Sequence, residues 1–467
     1  MNCPRIVIAA PSSGSGKTTV TCALLEALRQ KGVSPCAFKC GPDYIDPMYH
    51  RNVIGVPSGN LDLFFTDEKM TRRIFCQERS GDVAVIEGVM GLFDGLGGIE
   101  EEASTYHLAK TLDAPILLVV DAKGVGRSVL ATIRGFMEYD KDNRIRGILL
   151  NRVSDRFSST LASIIEKELG IPVLGYMPNQ QNISVKSRHL GLVLPEEVQD
   201  LRITLEENAK RLSENVDLVR ILEIAQSAPE LAVADSENLE HENVEQEDSE
   251  HGCSESTKSL VRIGIAQDEA FCFYYRENLE MLESMGVELV PFSPLHDEHL
   301  PEDIHGLLMG GGYPELHLEE LFANESMKVD IRELAKADIP LRAECGAFMY
   351  LGKSIVDSES GVAYEMVGLT DGEARRGGLN GRFGYVTLTP NSSAEIQGEI
   401  RAHEFHYYDT SNNGNTYQAL KPVSGKTWNA IIRKGNQEMG FPHLYYPSNP
   451  DYAKRFLQQC MDWKKEH

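Results

Sequence analysis

The sequence contains no hydrophobic run long enough to cross a membrane. A membrane helix needs about 18 consecutive apolar residues, whereas the first apolar run, RIVIAA, leads directly into a glycine-rich loop. We therefore expect neither a membrane-spanning segment nor a secretory signal. Positive charge is also scarce, because 46 Lys and Arg stand against 70 Asp and Glu, a net charge of −24. This balance argues against nucleic acid or an anionic membrane as a partner.

Paired cysteine motifs are absent as well. The nine cysteines are scattered, and no two of them form a C-x-x-C pair. We therefore expect no disulfide framework and no zinc ribbon, and the predicted compartment is the reducing cytoplasm.

One segment has almost no aliphatic side chains. Between Glu230 and Glu255 there are ten acidic residues and no Lys or Arg. Since little apolar surface is available there to offset the entropy of ordering, we predict a flexible acidic linker over residues 226–259. A tail that binds a basic partner is the less favoured alternative. The linker separates two predicted domains, 1–225 and 260–455, which suits a chain of 467 residues.

The first half alternates short apolar runs with helical patterns. Continuous rather than alternating hydrophobicity is typical of strands buried on both faces of a parallel sheet. The pattern predicts an α/β domain whose strands include RIVIAA, DVAVIEGV, APILLVVDA, RGILLNRV and IPVLGYMP.

A glycine-rich loop follows the first of these strands and precedes a helical pattern. In the string SSGSGKTT, the glycines let backbone N–H groups turn toward a phosphate at the start of a helix. Lys17 can reach the β- and γ-phosphates, and Thr18 can place a hydroxyl on Mg²⁺. Pro11 stands where the commonest form of this motif has glycine. We predict an ATP site at Ser13, Gly14, Ser15, Gly16, Lys17, Thr18 and Thr19.

Carboxylates follow two further predicted strands. Asp43 and Asp46 lie in KCGPDYIDP, and Glu87 ends a buried strand in the run DVAVIEGV. Open α/β sheets bind ligands at the carboxyl ends of their strands, and Mg²⁺ prefers carboxylate, hydroxyl and phosphate oxygens. Thr18, Asp43, Asp46 and Glu87 are therefore the predicted Mg²⁺ set. The alternative is that the two prolines shape a loop whose acids are merely solvated.

In the second half, the strand IPLRAE ends at Cys345. A cysteine at a sharp strand-to-helix turn exposes its thiol, although an inert buried cysteine is the commoner case. The GGGY turn can supply backbone N–H groups to an oxyanion beside Gly346, so Gly311, Gly312 and Gly346 are the oxyanion candidates. The general base stays open at this point among His403, His406 and His443.

The first-half motifs resemble those of cobyrinic acid a,c-diamide synthases of the cobalamin pathway, whose nucleotide domain is similar to dethiobiotin synthetase. SSGSGKTT, KCGPDYIDP, EGVMGLFDG, LNRV and SRHLGLVLPEE occur in the family's order. The resemblance implies that Asn151 faces the adenine. It also implies a substrate region that includes Lys39, Tyr44, Arg188 and His189. The family commonly has glycine at position 10, where this chain has Ala10.

The second-half motifs resemble the glutamine amidotransferase domain of the same synthases. They are AFCFYY, SPLHDEHLP, MGGGYPELH, AECGAFMYL, GRFGYV and HEFHYY. The resemblance implies that Cys345 is the nucleophile and selects His443 as its base, since GFPHLYYPSNP matches the family's C-terminal string. The chain departs from the family at Ala347 and Tyr445. Broader triad glutaminases carry a glutamate at the position of Tyr445, so a Cys–His pair is implied.

The resemblance predicts a fold class and a reaction. The fold is α/β, with an N-terminal P-loop NTPase-like parallel sheet and a C-terminal flavodoxin-like, class I glutamine amidotransferase-like domain. The implied ligands are ATP, Mg²⁺, L-glutamine and cobyrinic acid, whose a and c carboxylates would be amidated through an acyl phosphate. Ni-sirohydrochlorin, hydrogenobyrinic acid and the carboxylates of cobyric acid synthase are alternative acceptors. A ParA/MinD-like switch and an inactive structural chain are less favoured, and the assembly stays open, with a homodimer among the alternatives.

Overall fold

Seven strands build the first domain: five of them are the apolar runs predicted above, whereas PCAFKC and SGNL were not predicted as strands. The computed structural model describes residues 3–179, 195–231, 261–377, 382–391 and 398–467, with only the backbone of 195–199. The strands are β1 Arg5–Ala9, β2 Pro35–Cys40, β3 Ser58–Leu61, β4 Val83–Glu87, β5 Ile116–Asp121, β6 Ile145–Val153 and β7 Val173–Pro178. They form one sheet in the order β3-β2-β4-β1-β5-β6-β7, and all neighbours are parallel. The predicted N-terminal parallel sheet is confirmed.

Helices cover both faces of this sheet. They are α1 Lys17–Gln30, α2 Ile45–Tyr49, α3 Glu68–Glu78, α4 Thr105–Thr111, α5 Val129–Tyr139, α6 Asp155–Leu169, α7 Pro195–Asn215 and α8 Leu218–Gln226, with a π-helical turn at His50–Ile54 and a 3₁₀ turn at Leu96–Gly98. Two separate apolar clusters fill the two faces, one around Phe38 and Phe75 and the other around Leu24 and Leu212. Burial on both faces explains why the strand sequences do not alternate.

The second domain is built on a six-stranded, mostly parallel sheet, to which two smaller sheets are added. Its strands are β8 Val261–Ala266, β9 Val287–Phe292, β10 Gly306–Met309, β11 Leu341–Glu344, β12 Ser354–Val356, β13 Ala363–Glu365, β14 Glu373–Arg376, β15 Gly384–Pro390, β16 Ile400–Glu404, β17 Tyr408–Thr410, β18 Tyr417–Leu420, β19 Thr427–Ala430, β20 Ile432–Lys434, β21 Gln437–Gly440 and β22 His443–Leu444. Six of them form the sheet β20-β21-β11-β10-β8-β9, parallel except for β20. The helices are α9 Arg276–Ser284, α10 Leu318–Ala323, α11 Glu325–Lys336, α12 Gly346–Leu351 and α13 Pro450–Glu466, with 3₁₀ turns at Pro314–Leu316 and Tyr446–Ser448.

Two smaller sheets extend this domain beyond the predicted α/β core. The order of one is β13-β12-β14-β17, and that of the other is β19-β18-β15-β16-β22. The five-stranded sheet is antiparallel, and its last strand carries His443. The α/β class is confirmed, whereas the sequence pattern did not predict these two sheets.

The two domains meet through an aromatic cluster. It contains Phe64 and Phe65 from the first domain and Tyr275 and Tyr445 from the second. Polar contacts lie at its margin, because the Tyr385 hydroxyl donates to Asp62 Oδ2 over 2.7 Å. The interface therefore combines buried aromatic packing with hydrogen bonds between domains.

The residues between the domains are only partly described. Residues 232–260, most of the predicted acidic linker, lie outside the described residues, as do Arg188 and His189. The first residues assigned to the linker lie against the first domain, where Leu231 is buried and the Pro229 carbonyl accepts a hydrogen bond of 2.8 Å from Arg5 Nη2. The boundaries 1–225, 226–259 and 260–455 stay a prediction.

Candidate functional site

The phosphate-binding loop joins β1 to α1, as predicted. Gly16, just before α1, adopts a left-handed conformation with φ of 93°. A Cβ there would lie 2.2 Å from Asn151 Nδ2, so both the conformation and the close approach require glycine. Asn151 Nδ2 in turn donates to the Ser15 carbonyl over 2.8 Å. The structure thus places Asn151 against the loop backbone, and a contact with adenine stays a prediction.

Lys17 begins α1 and points along the loop. Its Nζ donates to the carbonyl of Met90, and it lies 3.3 Å from the carbonyl oxygen of Ser12. Burial, together with the nearby charge of Lys39, lowers the pKa of Lys17 to about 8. A phosphate group at this position would raise the pKa of Lys17 again and hold the ammonium form, as expected of a nucleotide-binding lysine.

Glu87 ends β4 and lies at the centre of a charged cluster. Its side chain is fully buried, and Oε1 accepts hydrogen bonds from Thr18 Oγ1 at 2.6 Å and from Lys39 Nζ at 2.8 Å. Parallel pairing of β2 with β4 places Lys39 directly beside Glu87. Burial opposes the charge of Glu87, but Lys39 and His50 outweigh it, so the pKa of Glu87 is lowered.

Lys39 also binds the second carboxylate of the predicted magnesium set. Its Nζ donates to Asp46 Oδ2, so one ammonium group links Asp46 and Glu87. Burial and the charge of Glu87 raise the pKa of Asp46. Burial by itself would lower the pKa of Lys39, but the charges of Asp46 and Glu87 outweigh burial and raise it. Asp43 lies one turn away and accepts backbone N–H groups of Ile45 and Asp46 on Oδ1 at 2.8 and 3.3 Å.

These residues fit a magnesium-assisted phosphate site. Among the described residues Glu87 Oε2 makes no hydrogen bond, although the buried His50 Nε2 lies 3.6 Å from it. The groups placed to serve Mg²⁺ are the Thr18 hydroxyl and Glu87 Oε1, which it contacts. Within the described ranges, no three His, Cys, Asp or Glu side chains are grouped so that they could hold a metal by themselves. Mg²⁺ in nucleotide sites needs only one or two carboxylates, because phosphate and water complete its coordination.

Cys345 lies at the turn between β11 and α12. Its φ of 49° and ψ of −105° are strained for a residue with a side chain, as in other nucleophile elbows. The backbone N–H of Cys345 donates to the Gly440 carbonyl over 2.8 Å, which holds the turn against β21. Burial raises the pKa of the thiol, so a base must remove its proton before it can attack.

The glycine turn after β10 brings Cys345 and His443 together. An ideal Cβ on Gly311 would lie 2.4 Å from His443 Cε1, 3.2 Å from His443 Nε2 and 3.3 Å from Cys345 Cβ. Only glycine fits between these two side chains. A Cβ on Gly346 would lie 3.0 Å from the backbone nitrogen of Gly312, so the predicted oxyanion residues are adjacent.

The other two histidines have different surroundings. His403 pairs with His443 across β16 and β22, and its ring contacts Tyr385 with centroids 5.7 Å apart. His406 bonds Glu404 Oε2 at 3.0 Å and the Tyr408 carbonyl at 2.6 Å, so both of its ring nitrogens have partners. Of the three candidates, the structure brings His443 to the glycine turn beside Cys345.

Burial shapes the electrostatics of His443. The ring is 1% exposed, and burial, together with the neighbouring His403 and His406, lowers the pKa of His443 to about 3. The imidazole is therefore neutral and able to accept a proton. Within the described part of the chain its Nδ1 has no hydrogen-bond partner, and it lies 3.8 Å from Oε2 of Glu344.

Sequence reasoning missed Glu344, the residue before Cys345. The signal was present, because IPLRAE is an apolar strand that ends in a charged residue directly before the candidate nucleophile. The inference of a Cys–His pair considered only position 445. There the structure places Tyr445, which stacks on Phe65 at 4.7 Å across the domain interface.

Tyr44 connects the two sites. It follows Asp43 in the first domain, yet its ring packs against Phe273, Tyr275 and His443 of the second, with centroids 5.2, 4.4 and 5.2 Å apart. The loop that carries the predicted magnesium ligands therefore contacts the histidine next to Cys345. Residues of both candidate sites therefore border the same domain interface.

Comparison with known proteins identifies both domains. Residues 6–193 match the family model of the CobQ/CobB/MinD/ParA nucleotide binding domain, and residues 262–440 match the CobB/CobQ-like glutamine amidotransferase domain. No helix in the described part of the chain is long and apolar enough to cross a membrane. A solved structure of chloroplast FtsY from Physcomitrella patens covers 44% of this chain and 65% of its own at 18% identity, with a TM-score of 0.30, too low to support a common fold.

Curated relatives match over nearly the whole chain. The cobyrinate a,c-diamide synthase of Listeria innocua is 38% identical over 96% of this chain and 97% of its own length. The synthase of Caldanaerobacter subterraneus is 38% identical over 99% of this chain and 100% of its own length. The synthase of Clostridium tetani is 36% identical over 97% of this chain and 99% of its own length. This chain therefore belongs to the cobyrinate a,c-diamide synthase family, glutamine-dependent amidotransferases that join a nucleotide-binding domain to a glutamine amidotransferase domain.

Proposed function

We propose that this chain amidates the a and c side-chain carboxylates of cobyrinic acid, using ATP and ammonia released from glutamine. The observation that carries the proposal is the contact of Tyr44 with His443. It joins the carboxylate loop of the nucleotide domain to the candidate glutaminase site, as a shared ammonia intermediate requires. The names of the curated relatives support the choice of acceptor.

In the nucleotide domain, the acceptor carboxylate is activated. A carboxylate oxygen attacks the γ-phosphorus of ATP, ADP leaves, and an acyl phosphate forms. Lys17 and the loop N–H groups hold the phosphates in line, while Thr18 and one or two of the carboxylates Asp43, Asp46 and Glu87 are the proposed ligands of Mg²⁺. When bound, Mg²⁺ neutralises phosphate charge. Ammonia then attacks the acyl carbon, phosphate leaves, and the amide nitrogen loses a proton.

In the glutaminase domain, Cys345 is the proposed nucleophile. His443 accepts the thiol proton, Sγ attacks the carboxamide carbon of glutamine, and His443 returns the proton to the departing ammonia. The backbone N–H groups around Gly311, Gly312 and Gly346 stabilise the oxyanion. Water then hydrolyses the thioester and releases glutamate.

The proposed function includes a location, further acceptor contacts and a role for the linker. All eight cysteines of the described residues are free thiols, which supports a cytoplasmic location. Arg188 and His189 are proposed to contact the acceptor, along with Lys39 and Tyr44, and residues 232–256 are proposed to be dispensable for folding. A homodimer stays one open alternative for the assembly.

Product analysis tests the proposed acceptor. The protein is incubated with ATP, Mg²⁺ and glutamine together with cobyrinic acid, hydrogenobyrinic acid or Ni-sirohydrochlorin, and products are identified by mass spectrometry. We expect cobyrinic acid to gain two amides with the highest kcat/KM. Preferential amidation of Ni-sirohydrochlorin would contradict the proposed acceptor and keep the proposed chemistry.

A further inference from the structure

We propose that Glu344 is the positioning carboxylate for His443 and completes a Cys–His–Glu arrangement in the glutaminase site. This inference rests on the proposed roles of Cys345 and His443. Broader triad glutaminases carry their glutamate two positions after the histidine, where this chain has Tyr445. Here the glutamate would instead be Glu344, which directly precedes the nucleophile.

The two edges of the His443 ring face different partners. The edge with Nε2 and Cε1 lies against Gly311, on the side of Cys345. Nδ1 lies on the other edge, has no hydrogen-bond partner among the described residues, and is 3.8 Å from Glu344 Oε2. A base that uses Nε2 must carry its proton on Nδ1, and that proton needs an acceptor.

Glu344 is held in place to supply this acceptor. Its Oε1 accepts the backbone N–H of Leu444, the residue after His443, over 3.2 Å. One carboxylate oxygen is thus anchored to the strand that carries the histidine, while the other faces Nδ1. The distance of 3.8 Å is longer than a hydrogen bond, and catalytic hydrogen bonds commonly tighten when substrate binds.

The charges of the pair are linked. Burial raises the pKa of Glu344 to about 8 and lowers that of His443 to about 3, so either group alone carries charge at a cost. When Cys345 gives its proton to Nε2, the imidazolium forms beside the carboxylate and the two charges compensate each other. Glu344 therefore fixes the ring, selects the tautomer with hydrogen on Nδ1, and stabilises the protonated histidine.

Glu344→Gln tests this role in the full-length protein. The amide oxygen can still accept from Leu444, which turns the NH₂ group toward Nδ1 and favours the wrong tautomer. We expect kcat for glutamine-dependent amidation to fall about 10²-fold or more, by analogy with other orienting carboxylates. The KM for glutamine and the rate with ammonium chloride should change less than about threefold.

The matched control is Glu438→Gln, on the adjacent strand β21. Glu438 is also buried and lines the same small cavity as Glu344, but its carboxylate accepts from the Tyr452 hydroxyl at 2.9 Å and lies beside Arg342 instead of His443. We expect this variant to lose thermal stability and keep its glutamine-dependent kcat. A Glu344→Gln enzyme with wild-type glutamine-dependent kcat would overturn the inference, whereas a wild-type protein inactive with glutamine would overturn the proposed function.

A measurement on the wild-type protein decides the matter if Glu344→Gln does not fold. Nitrogen-15 NMR of labelled histidine, assigned with His443→Gln, reports which ring nitrogen of His443 carries hydrogen. At a pH above about 8, where the Glu344 carboxyl is ionised, the inference requires hydrogen on Nδ1. Hydrogen on Nε2 alone would overturn it.

Discussion

The two candidate sites of this protein treat charge in opposite ways. In the nucleotide domain, Lys39 links Asp46 and Glu87, and opposite charges keep the buried Glu87 ionised with a lowered pKa. In the glutaminase domain, burial raises the pKa of Cys345 and, together with His403 and His406, lowers that of His443. The nucleotide site therefore holds charged side chains before its substrate binds, whereas the glutaminase site keeps the Cys345 thiol and the His443 imidazole neutral.

The difference matches the chemistry that each half must perform. Phosphoryl transfer moves negative charge, so fixed charges close to the phosphates lower its barrier. Glutamine is a neutral substrate, and a thiolate or imidazolium is needed only during the reaction. The aromatic interface around Tyr44 and Tyr275 separates the two environments.

Cys345→Ala should have the largest effect, because it abolishes the use of glutamine and leaves the use of ammonium intact. Without the thiol no thioester can form, so glutamine-dependent amidation should fall below detection, at least about 10³-fold. Amidation with ammonium chloride should stay within about threefold, because the nucleotide domain is unchanged. The measurement is the initial rate of amide formation with each nitrogen source. Loss of both activities would contradict the assignment of Cys345 to glutamine alone.

Lys17→Ala should abolish the activity of the nucleotide domain and spare that of the glutaminase domain. Loss of the ammonium group leaves phosphate charge uncompensated, and amidation should fall about 10³-fold with either nitrogen source. Glutamate release from glutamine, measured without ATP, serves as the control and should persist. Wild-type amidation with ammonium would show that Lys17 does not serve the phosphates.

Tyr44→Ala should weaken the connection between the sites without destroying either one. Its ring packs on Tyr275 and His443, so truncation opens the interface to water. We expect the number of glutamates released per amide formed to rise about tenfold, and Tyr44→Phe, which keeps the ring, to stay within about twofold. An unchanged ratio in the alanine variant would place the ammonia route elsewhere.

Glu78→Gln should have the smallest effect, which appears as a pH-dependent stability. Glu78 and Glu277 meet across the interface at Gly59, and burial, reinforced by Glu277, raises the pKa of Glu78 to about 9. Because the folded state holds a proton that the unfolded state releases near pH 4.5, wild-type stability falls as pH rises from about 4.5 to 9. Glutamine mimics the protonated form and removes this contribution.

The melting temperature of Glu78→Gln should therefore exceed that of the wild type by a margin that grows from pH 5 to pH 9. Glu138→Gln, at an exposed position, is the control and should track the wild type. A margin that is independent of pH would contradict the raised pKa. Differential scanning calorimetry at several pH values measures it.

Much of the nucleotide domain could be predicted from local sequence. Continuous apolar runs indicated buried parallel strands. Lys17 follows β1 and Glu87 ends β4, and these positions indicated a site at one edge of the sheet. The glutaminase site was harder. Spacing did not choose among three histidines, and the choice of His443 came from a resemblance.

The contacts that could not be predicted join distant parts of the chain. Neither the contact of Tyr44 with His443 nor that of Glu344 with His443 follows from any periodic pattern. The two smaller sheets of the second domain were missed for a related reason. Most of their strands have four residues or fewer, so their hydrophobic patterns are too brief to identify alone.

By itself, the sequence determined the strand–loop–helix order, the glycines of the phosphate loop and the cysteine after a strand, because these depend on backbone conformation and burial over a few residues. Only the tertiary structure decided which groups face one another: Lys39 between two carboxylates, His443 between Cys345 and Glu344, and Tyr44 between two domains. Those contacts depend on how whole elements pack against one another, and the contact of Tyr44 with His443 joins residues at opposite ends of the chain, so no local pattern encodes it.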